Sequence, residues 1–301
     1  LRVLGFRDPE GAMRHVEALT TGVSRRAAIQ RTLLPVLLGW FAQTPMPDQG
    51  LLGFRRVSDA LGATPWYLRL LRDDSVVAER MSRILCYARL STELLLTAPE
   101  AVAMLEHVED LQPRPLEQLL SEFRATAERQ GDAAASVQIL RSLRRRELFR
   151  ITVADILGLV DPVVVCRALS DVTEATLVAS SEAVIRFLIV GMGRFGGREL
   201  SYGSDADVMF VHDPIDHAAD CLGAAIEVAS TMTNLLAQPG TEPALLVDAD
   251  LRPEGRSGPL VRSLQGYAKY YEQWSLSWES QALLRARPFI GDEQLRAQFL
   301  T

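Results

Sequence analysis

Two Asp-x-Asp pairs, Asp205–Asp207 and Asp248–Asp250, each abut an apolar run of strand length, and no other feature constrains the fold of this chain as strongly. The run Val184 to Val190 leads into Gly191-Met192-Gly193-Arg194-Phe195-Gly196-Gly197. Tyr202-Gly203-Ser204-Asp205-Ala206-Asp207 then leads into Val208-Met209-Phe210-Val211. The pattern is strand, glycine-rich connection, strand. Side chains alternate faces along a strand, so Asp205 and Asp207 are expected to point the same way. Two carboxylates on one face repel each other unless a cation or a proton lies between them. A glycine-rich turn beside them lets backbone amides approach a polyphosphate closely. Paired acids with a phosphate cradle are the equipment of metal-dependent phosphoryl or nucleotidyl transfer.

The second pair ends the apolar stretch Ala244-Leu245-Leu246-Val247-Asp248-Ala249-Asp250-Leu251. By the same two-residue period Asp248 and Asp250 share a face. If this strand pairs beside the Val208 strand, three or four carboxylates converge. Hard oxygen donors of this kind suit magnesium or manganese and argue against zinc. The competing reading is that Asp248 and Asp250 merely blunt an edge strand. In the loop Arg252-Pro253-Glu254-Gly255-Arg256-Ser257-Gly258, Arg252 is the residue best placed to meet phosphate oxygens bidentately, four positions after Asp248.

These segments resemble the glutamine synthetase adenylyltransferase family, bacterial enzymes that attach AMP to a tyrosine of glutamine synthetase and remove it. The resemblance covers the whole chain. It is carried by Gly191-Met192-Gly193-Arg194-Phe195-Gly196-Gly197-Arg198-Glu199-Leu200, by Tyr202 to Asp207, by Val247 to Val261, and by Trp278-Glu279-Ser280-Gln281-Ala282-Leu283-Leu284-Arg285-Ala286-Arg287. Such enzymes have two similar catalytic halves, one adenylylating and one removing AMP by phosphorolysis. The Tyr-Gly-Ser-Asp-x-Asp form is more like the adenylylating, C-terminal half, of an actinobacterial type. The Ser-Gly-Pro-Leu-Val form after Arg256 occurs in both. At Asp250 the commoner family pattern has Arg, which leaves open whether Asp250 joins a metal site.

The resemblance implies an α+β fold: a helical region over residues 1–180, then a polymerase-beta-like nucleotidyltransferase palm with a small mixed sheet over 181–301, its last helices starting a further helical region. It implies that Asp205, Asp207 and Asp248 are catalytic and bind two Mg2+ ions. Gly193, Gly203 and Ser204 would cradle the phosphates of ATP, Arg194 would neutralise the leaving group, and Arg252 would complete the nucleotide site. The implied partners are glutamine synthetase as protein substrate and, through regions absent from this chain, a PII-type signalling protein. The implied function is ATP-dependent AMP transfer to glutamine synthetase. The deadenylylating half is the alternative. A catalytically silent nucleotide-binding regulatory module would need an acid missing, and all three positions are filled.

Composition narrows the field. With 48% hydrophobic and 23% charged residues, the 301-residue chain is an ordinary globular sequence of about two domains. A net charge of −6 gives no nucleic-acid footprint and no electrostatic attraction to membranes. No run reaches transmembrane length. Three scattered cysteines, Cys86, Cys166 and Cys221, argue against a disulfide framework or structural zinc and fit a cytoplasmic protein. The chain opens at Leu1 without an initiator methionine and stops within a helical pattern, so it is expected to be part of a longer protein.

Before residue 180 apolar residues recur at helical spacing. Asp8-Pro9 and Ser24 are expected helix starts, Pro45 to Gly50 a turn, and Ser58 and Thr64-Pro65 starts of short helices. Arg141, Arg144, Arg145, Arg146 and Arg150 are expected along the outer face of a long helix, in structural or ion-paired roles. Asp213-Pro214 is expected to start the helix between the acid strands. His212 and His217 are poorly spaced for metal and are expected as surface or capping histidines. Tyr267, Tyr270, Tyr271, Trp274 and Trp278 are expected in the core rather than as a base-stacking platform.

Overall fold

The computed structural model describes residues 1–61, 66–130, 132–181, 187–212, 221–291 and 293–300. Its α-helices and strands run in the order α1 (Pro9–Thr20), α2 (Arg25–Phe41), α3 (Pro47–Ala60), α4 (Trp66–Asp73), α5 (Ser75–Tyr87), α6 (Arg89–Thr97), α7 (Leu116–Ala127), α8 (Ala133–Ile156), α9 (Pro162–Ser181), β1 (Phe187–Gly191), α10 (Gly193–Gly196), β2 (Ala206–His212), α11 (Cys221–Ala237), β3 (Val247–Asp248), β4 (Val261–Ser263), α12 (Leu264–Gln273), α13 (Ser277–Leu283), β5 (Arg287–Ile290) and α14 (Glu293–Phe299). The class is α+β with a small mixed sheet, as expected.

Two compact units make up the chain. The first comprises Leu1–Pro113 and Arg146–Pro162. Within it, Asp8 caps α1 by accepting from the Gly11 amide at 2.9 Å, with Pro9 at the first helical position. Ser24 caps α2 through the Ala27 amide at 3.1 Å. Helix α2 continues through Pro35. Two local expectations are corrected. Pro47 to Gly50 already form the first turn of α3 rather than a loop, and Ser58 lies buried within that helix instead of starting one. Proline is tolerated in a first turn because its missing N–H has no helical partner there. The expected start at Thr64-Pro65 lies outside the described residues.

The second unit comprises Arg114–Arg145 and Val163–Thr301 and contains the sheet. Its order is β3-β2-β1-β5, with β4 also pairing β2. Strands β1 and β2 are antiparallel, from Phe187 opposite His212 to Gly191 opposite Val208. Strand β2 then takes two parallel partners along its other edge: β3 at its start and β4 at its end. Strand β5 lies antiparallel on the far side of β1, where its Pro288 occupies an edge and withholds no central ladder bond. Val208 to Val211 are wholly buried, which explains the unbroken apolar run. On one face Leu188, Val190, Met209 and Val211 pack with Met192, Tyr267 and Leu295. The Tyr267 hydroxyl donates to the Phe210 carbonyl at 3.2 Å, tying α12 to the central strand.

The basic helix departs from the expected outer-face pattern. Arg141 is 2% exposed and Arg144 also lies buried. Arg141 donates to the Gln238 and Glu242 carbonyls at 2.6 Å each and to Leu235 at 3.4 Å. Arg144 reaches the Pro243 and Ala244 carbonyls, and Arg145 pairs with the Glu242 carboxylate at 2.6 Å. These guanidinium groups satisfy carbonyls around the C-terminal end of α11 and in the segment entering β3. Their role is structural. Burial, with the neighbouring Arg141 charge, lowers Arg144 to about 10.

The aromatic expectation holds only in part. Tyr267 is buried, whereas Trp274 and Trp278 are 69% and 52% exposed. The expected helix start at Asp213-Pro214, and His217, lie outside the described residues. His212 is buried at the end of β2, not at the surface as expected, because the central strand carries it into the packed sheet. Cys86 and Cys166 are free thiols.

Candidate active site

The glycine-rich connection folds as a single tight turn. Gly191 ends β1, the Met192 amide donates to the Asp207 carbonyl at 2.8 Å, and α10 occupies Gly193 to Gly196. Gly193 has a positive φ of 50°, and a Cβ built there would lie 2.6 Å from an Asp207 carboxylate oxygen. Only glycine permits this backbone to press against that carboxylate. At the other end of the turn, a side chain on Gly196 would collide with the Arg285 carbonyl.

The connection closes with a second turn. The Ser204 amide donates to the Ser201 carbonyl at 3.1 Å, Gly203 has a φ of 73°, and the two serine hydroxyls lie 2.8 Å apart. Arg194, exposed, donates to the Ser201 hydroxyl at 3.1 Å. The two turns are thereby linked.

Asp205 is exposed one residue before β2, and Asp207 is half-buried as the strand's second residue. Directly across the parallel pairing, Asp207 stands opposite Asp248. Burial raises the Asp207 pKa above the usual carboxylate range, and the charges of Asp248 and Asp205 raise it further, with Arg194 acting against them. The three acids predicted from the sequence therefore share one electrostatic site. The donor set is carboxylate oxygen, which fits a hard divalent cation such as magnesium. Among the described residues no three or more His, Cys, Asp or Glu side chains are grouped so that they could hold a metal ion as they stand.

Asp250 departs from its expected place. Strand β3 ends at Asp248, and the chain turns, with the Asp250 amide donating to an Asp248 carboxylate oxygen at 2.7 Å. The two-residue alternation stops where the strand stops, so Asp250 does not share a face with Asp248. Its carboxylate instead pairs with Arg256 at 2.6 Å and lies 3.6 Å from Arg252.

Arg252 is largely buried, and its three guanidinium nitrogens bond to carbonyls of its own loop: Ala249 at 2.8 Å, Gly258 at 3.2 Å and Arg256 at 3.3 Å. In this structure it braces the loop that follows β3.

Arg287, expected from its place beside Pro288 to cap carbonyls or reach the site, donates to the Gly196 and Phe195 carbonyls of the glycine turn. Sequence reasoning did not single out the acids behind that turn. Asp171 and Glu174, both on α9, are buried acids. Arg198 pairs with Asp171 at 2.5 Å, and Arg287 with Glu174 at 2.6 Å. Buried acids on a helix before the glycine motif were the available signal, because such groups need cationic partners.

The family model described as glutamate-ammonia ligase adenylyltransferase matches residues 78–186 and 180–301. A bifunctional glutamine synthetase adenylyltransferase/adenylyl-removing enzyme of Streptomyces coelicolor is 53% identical over 329 residues, covering 100% of this chain and 33% of the relative. Proteins of the same description from Cutibacterium acnes and Mycolicibacterium smegmatis are 47% and 42% identical, again over 100% of this chain and 31% and 32% of theirs. The chain thus spans about one third of the length of the curated relatives it matches.

Proposed function

The chain belongs to the glutamate-ammonia ligase adenylyltransferase family, and from that premise we propose that it is a nucleotidyltransferase unit that moves AMP from ATP to a tyrosine of glutamine synthetase. The observation that carries this reading is the placement of Asp207 opposite Asp248, with Asp205 two residues upstream and Gly193 pressed on the Asp207 carboxylate. In this reading residues 181–301 form the catalytic palm and residues 1–180 a helical region. The surroundings are cytoplasmic; among the described residues no helix is long and apolar enough to cross a membrane.

Asp205, Asp207 and Asp248 would hold Mg2+, two ions in the full site. The metal would supply charge neutralisation at the phosphates and activation of the attacking oxygen. The chain's own groups do the rest. A tyrosine hydroxyl, with an ordinary pKa of about 10, is a poor nucleophile at neutral pH. Asp248 accepts its proton as the oxygen approaches the α-phosphorus. The new O–P bond forms as the α–β phosphoanhydride breaks, and pyrophosphate departs. Gly193, Gly203 and Ser204 line the phosphate path, and Arg194 balances the leaving charge. Arg252 keeps the following loop in place, and any contact with phosphate would require it to give up carbonyl partners.

Adenylyl removal is the second activity in the relatives' names, and the same acids would serve it by phosphorolysis. Tyr202-Gly203-Ser204-Asp205 favours the adenylylating half by its form. A PII-type protein would act through segments outside this chain. The deciding assay mixes the chain with ATP labelled on the α-phosphate, magnesium and unmodified glutamine synthetase, beside an Asp205→Asn control. Label on the synthetase with the parent chain alone supports adenylylation. Phosphate-dependent loss of label from AMP-bearing synthetase assigns the opposite direction. Neither result, despite magnesium-dependent ATP binding, restricts the chain to a nucleotide site.

A further inference from the structure

We propose that Arg287, on β5, is a positioning residue for the catalytic carboxylates and acts by clamping the glycine turn from its far end. The inference rests on the reading of Asp207 as a catalytic acid. Arg287 lies in register opposite Gly191, two residues before Gly193. Its Nε donates to the Gly196 carbonyl at 3.2 Å and one terminal nitrogen to the Phe195 carbonyl at 3.4 Å. The other terminal nitrogen donates to Glu174 at 2.6 Å, a carboxylate only 7% exposed. The guanidinium also lies 5.6 Å and 5.4 Å from the ring centres of Phe195 and Phe289, which meet edge to face.

All three guanidinium nitrogens are therefore engaged. Two donors hold the carbonyls that close the turn, one donor fixes the fork to α9, and the aromatic rings confine its plane. Gly196 lies close against the Arg285 backbone, two residues before β5, and a side chain there would have no room. Glu174 is reinforced by Arg198 at 3.8 Å, which also pairs with Asp171. With Phe195 and Gly196 fixed, Gly193 at the other end of the same turn is held against the Asp207 carboxylate.

A lysine keeps the charge but offers no planar fork and cannot reproduce these three bonds. Displacing reacting groups by about 1 Å can cost roughly 100-fold in rate. The clamp should therefore show itself at the site, beyond any change in overall stability.

The test uses this chain and two variants, Arg287→Lys and Glu174→Gln. Three properties are measured: magnesium-dependent binding of radiolabelled ATP, amide hydrogen exchange along the chain, and thermal unfolding. The proposal expects Arg287→Lys to bind ATP at least about tenfold more weakly, equivalent to about 1.4 kcal/mol. Exchange should quicken at residues 193–199 while α12 and the β1–β2 ladder keep the parent's protection. Glu174→Gln should weaken ATP binding in the same direction by a smaller factor, and it carries the comparison if the lysine variant does not fold. Unchanged exchange at 193–199 in the folded variants overturns the clamp, as does ATP binding within twofold of the parent. If the parent itself binds no ATP, the nucleotide-site reading fails, and the exchange pattern alone decides whether Arg287 holds the turn.

Discussion

Asp207 and Asp248 are directly opposed residues of two parallel strands, although forty residues of chain separate them. Such pairing brings two carboxylates together on a rigid ladder, where only a cation or a proton relieves their repulsion. Asp207→Asn and Asp248→Asn should each lower magnesium-dependent AMP transfer by about 100-fold or more while leaving the circular dichroism spectrum unchanged. Transfer within tenfold of the parent in either variant would remove that acid from the proposed mechanism.

The raised pKa of Asp207 makes a stability prediction with a definite sign. A carboxyl whose pKa is higher in the folded than in the unfolded chain contributes stability at low pH that is lost as pH rises through the folded value. In metal-free protein at neutral pH the site therefore carries an unrelieved cost, set first by burial and then by Asp248 and Asp205. Asp207→Asn should unfold at a higher temperature than the parent in chelator at neutral pH. The difference should shrink toward about pH 4, where carboxyls protonate. Added magnesium should stabilise the parent more than the variant. Thermal scans across pH, with and without metal, check both trends.

Gly193→Ala and Gly203→Ala separate crowding from backbone strain. Both glycines have positive φ, a conformation that costs an L-residue about 1–2 kcal/mol. Around Gly203 nothing lies within 4 Å of the added methyl, whereas at Gly193 the methyl meets the Asp207 carboxylate. Gly203→Ala should lower stability by about that strain energy and retain most ATP binding. Gly193→Ala should displace Asp207 and lose ATP binding by about tenfold or more. Equal binding losses in a dialysis assay would refute the distinction.

Arg141→Met tests the buried arginine of α8. Methionine fills much of the stem's volume but leaves the Leu235, Gln238 and Glu242 carbonyls without their donor. Buried unsatisfied groups cost about 1–3 kcal/mol each, so a loss near 3 kcal/mol in urea unfolding is expected. A loss below about 1 kcal/mol would mean that water replaces the guanidinium.

Asp250→Asn should be mild. Its partner Arg256 is 87% exposed, and ion pairs with such exposed partners contribute about 0–1 kcal/mol. Magnesium dependence and transfer should stay within about threefold of the parent. A loss comparable to that of Asp207→Asn would make Asp250 a metal ligand after all.

The strand–turn–strand motif was legible because its cause is local. Two-residue alternation, an apolar run and glycines where a turn must form all lie within about thirty residues. Helix starts at Asp8 and Ser24 were legible for the same reason, since a cap bonds to an amide three residues away. Local periodicity misled where an element stopped early: β3 ends at Asp248, and Asp250 turns toward two arginines.

By itself the sequence determined the two central strands and the acids at the start of β2 and the end of β3, because short-range sterics and hydrophobic alternation set these. Tertiary structure decided which charges became partners. Arg141 is drawn inside by carbonyls about a hundred residues later in the chain, and Arg287 reaches back ninety-one residues to the Gly196 carbonyl. A guanidinium is suited equally to solvent, a phosphate, a carboxylate or a carbonyl, so its local sequence does not select among them. The packed sheet and helices make that selection by excluding water and presenting fixed acceptors.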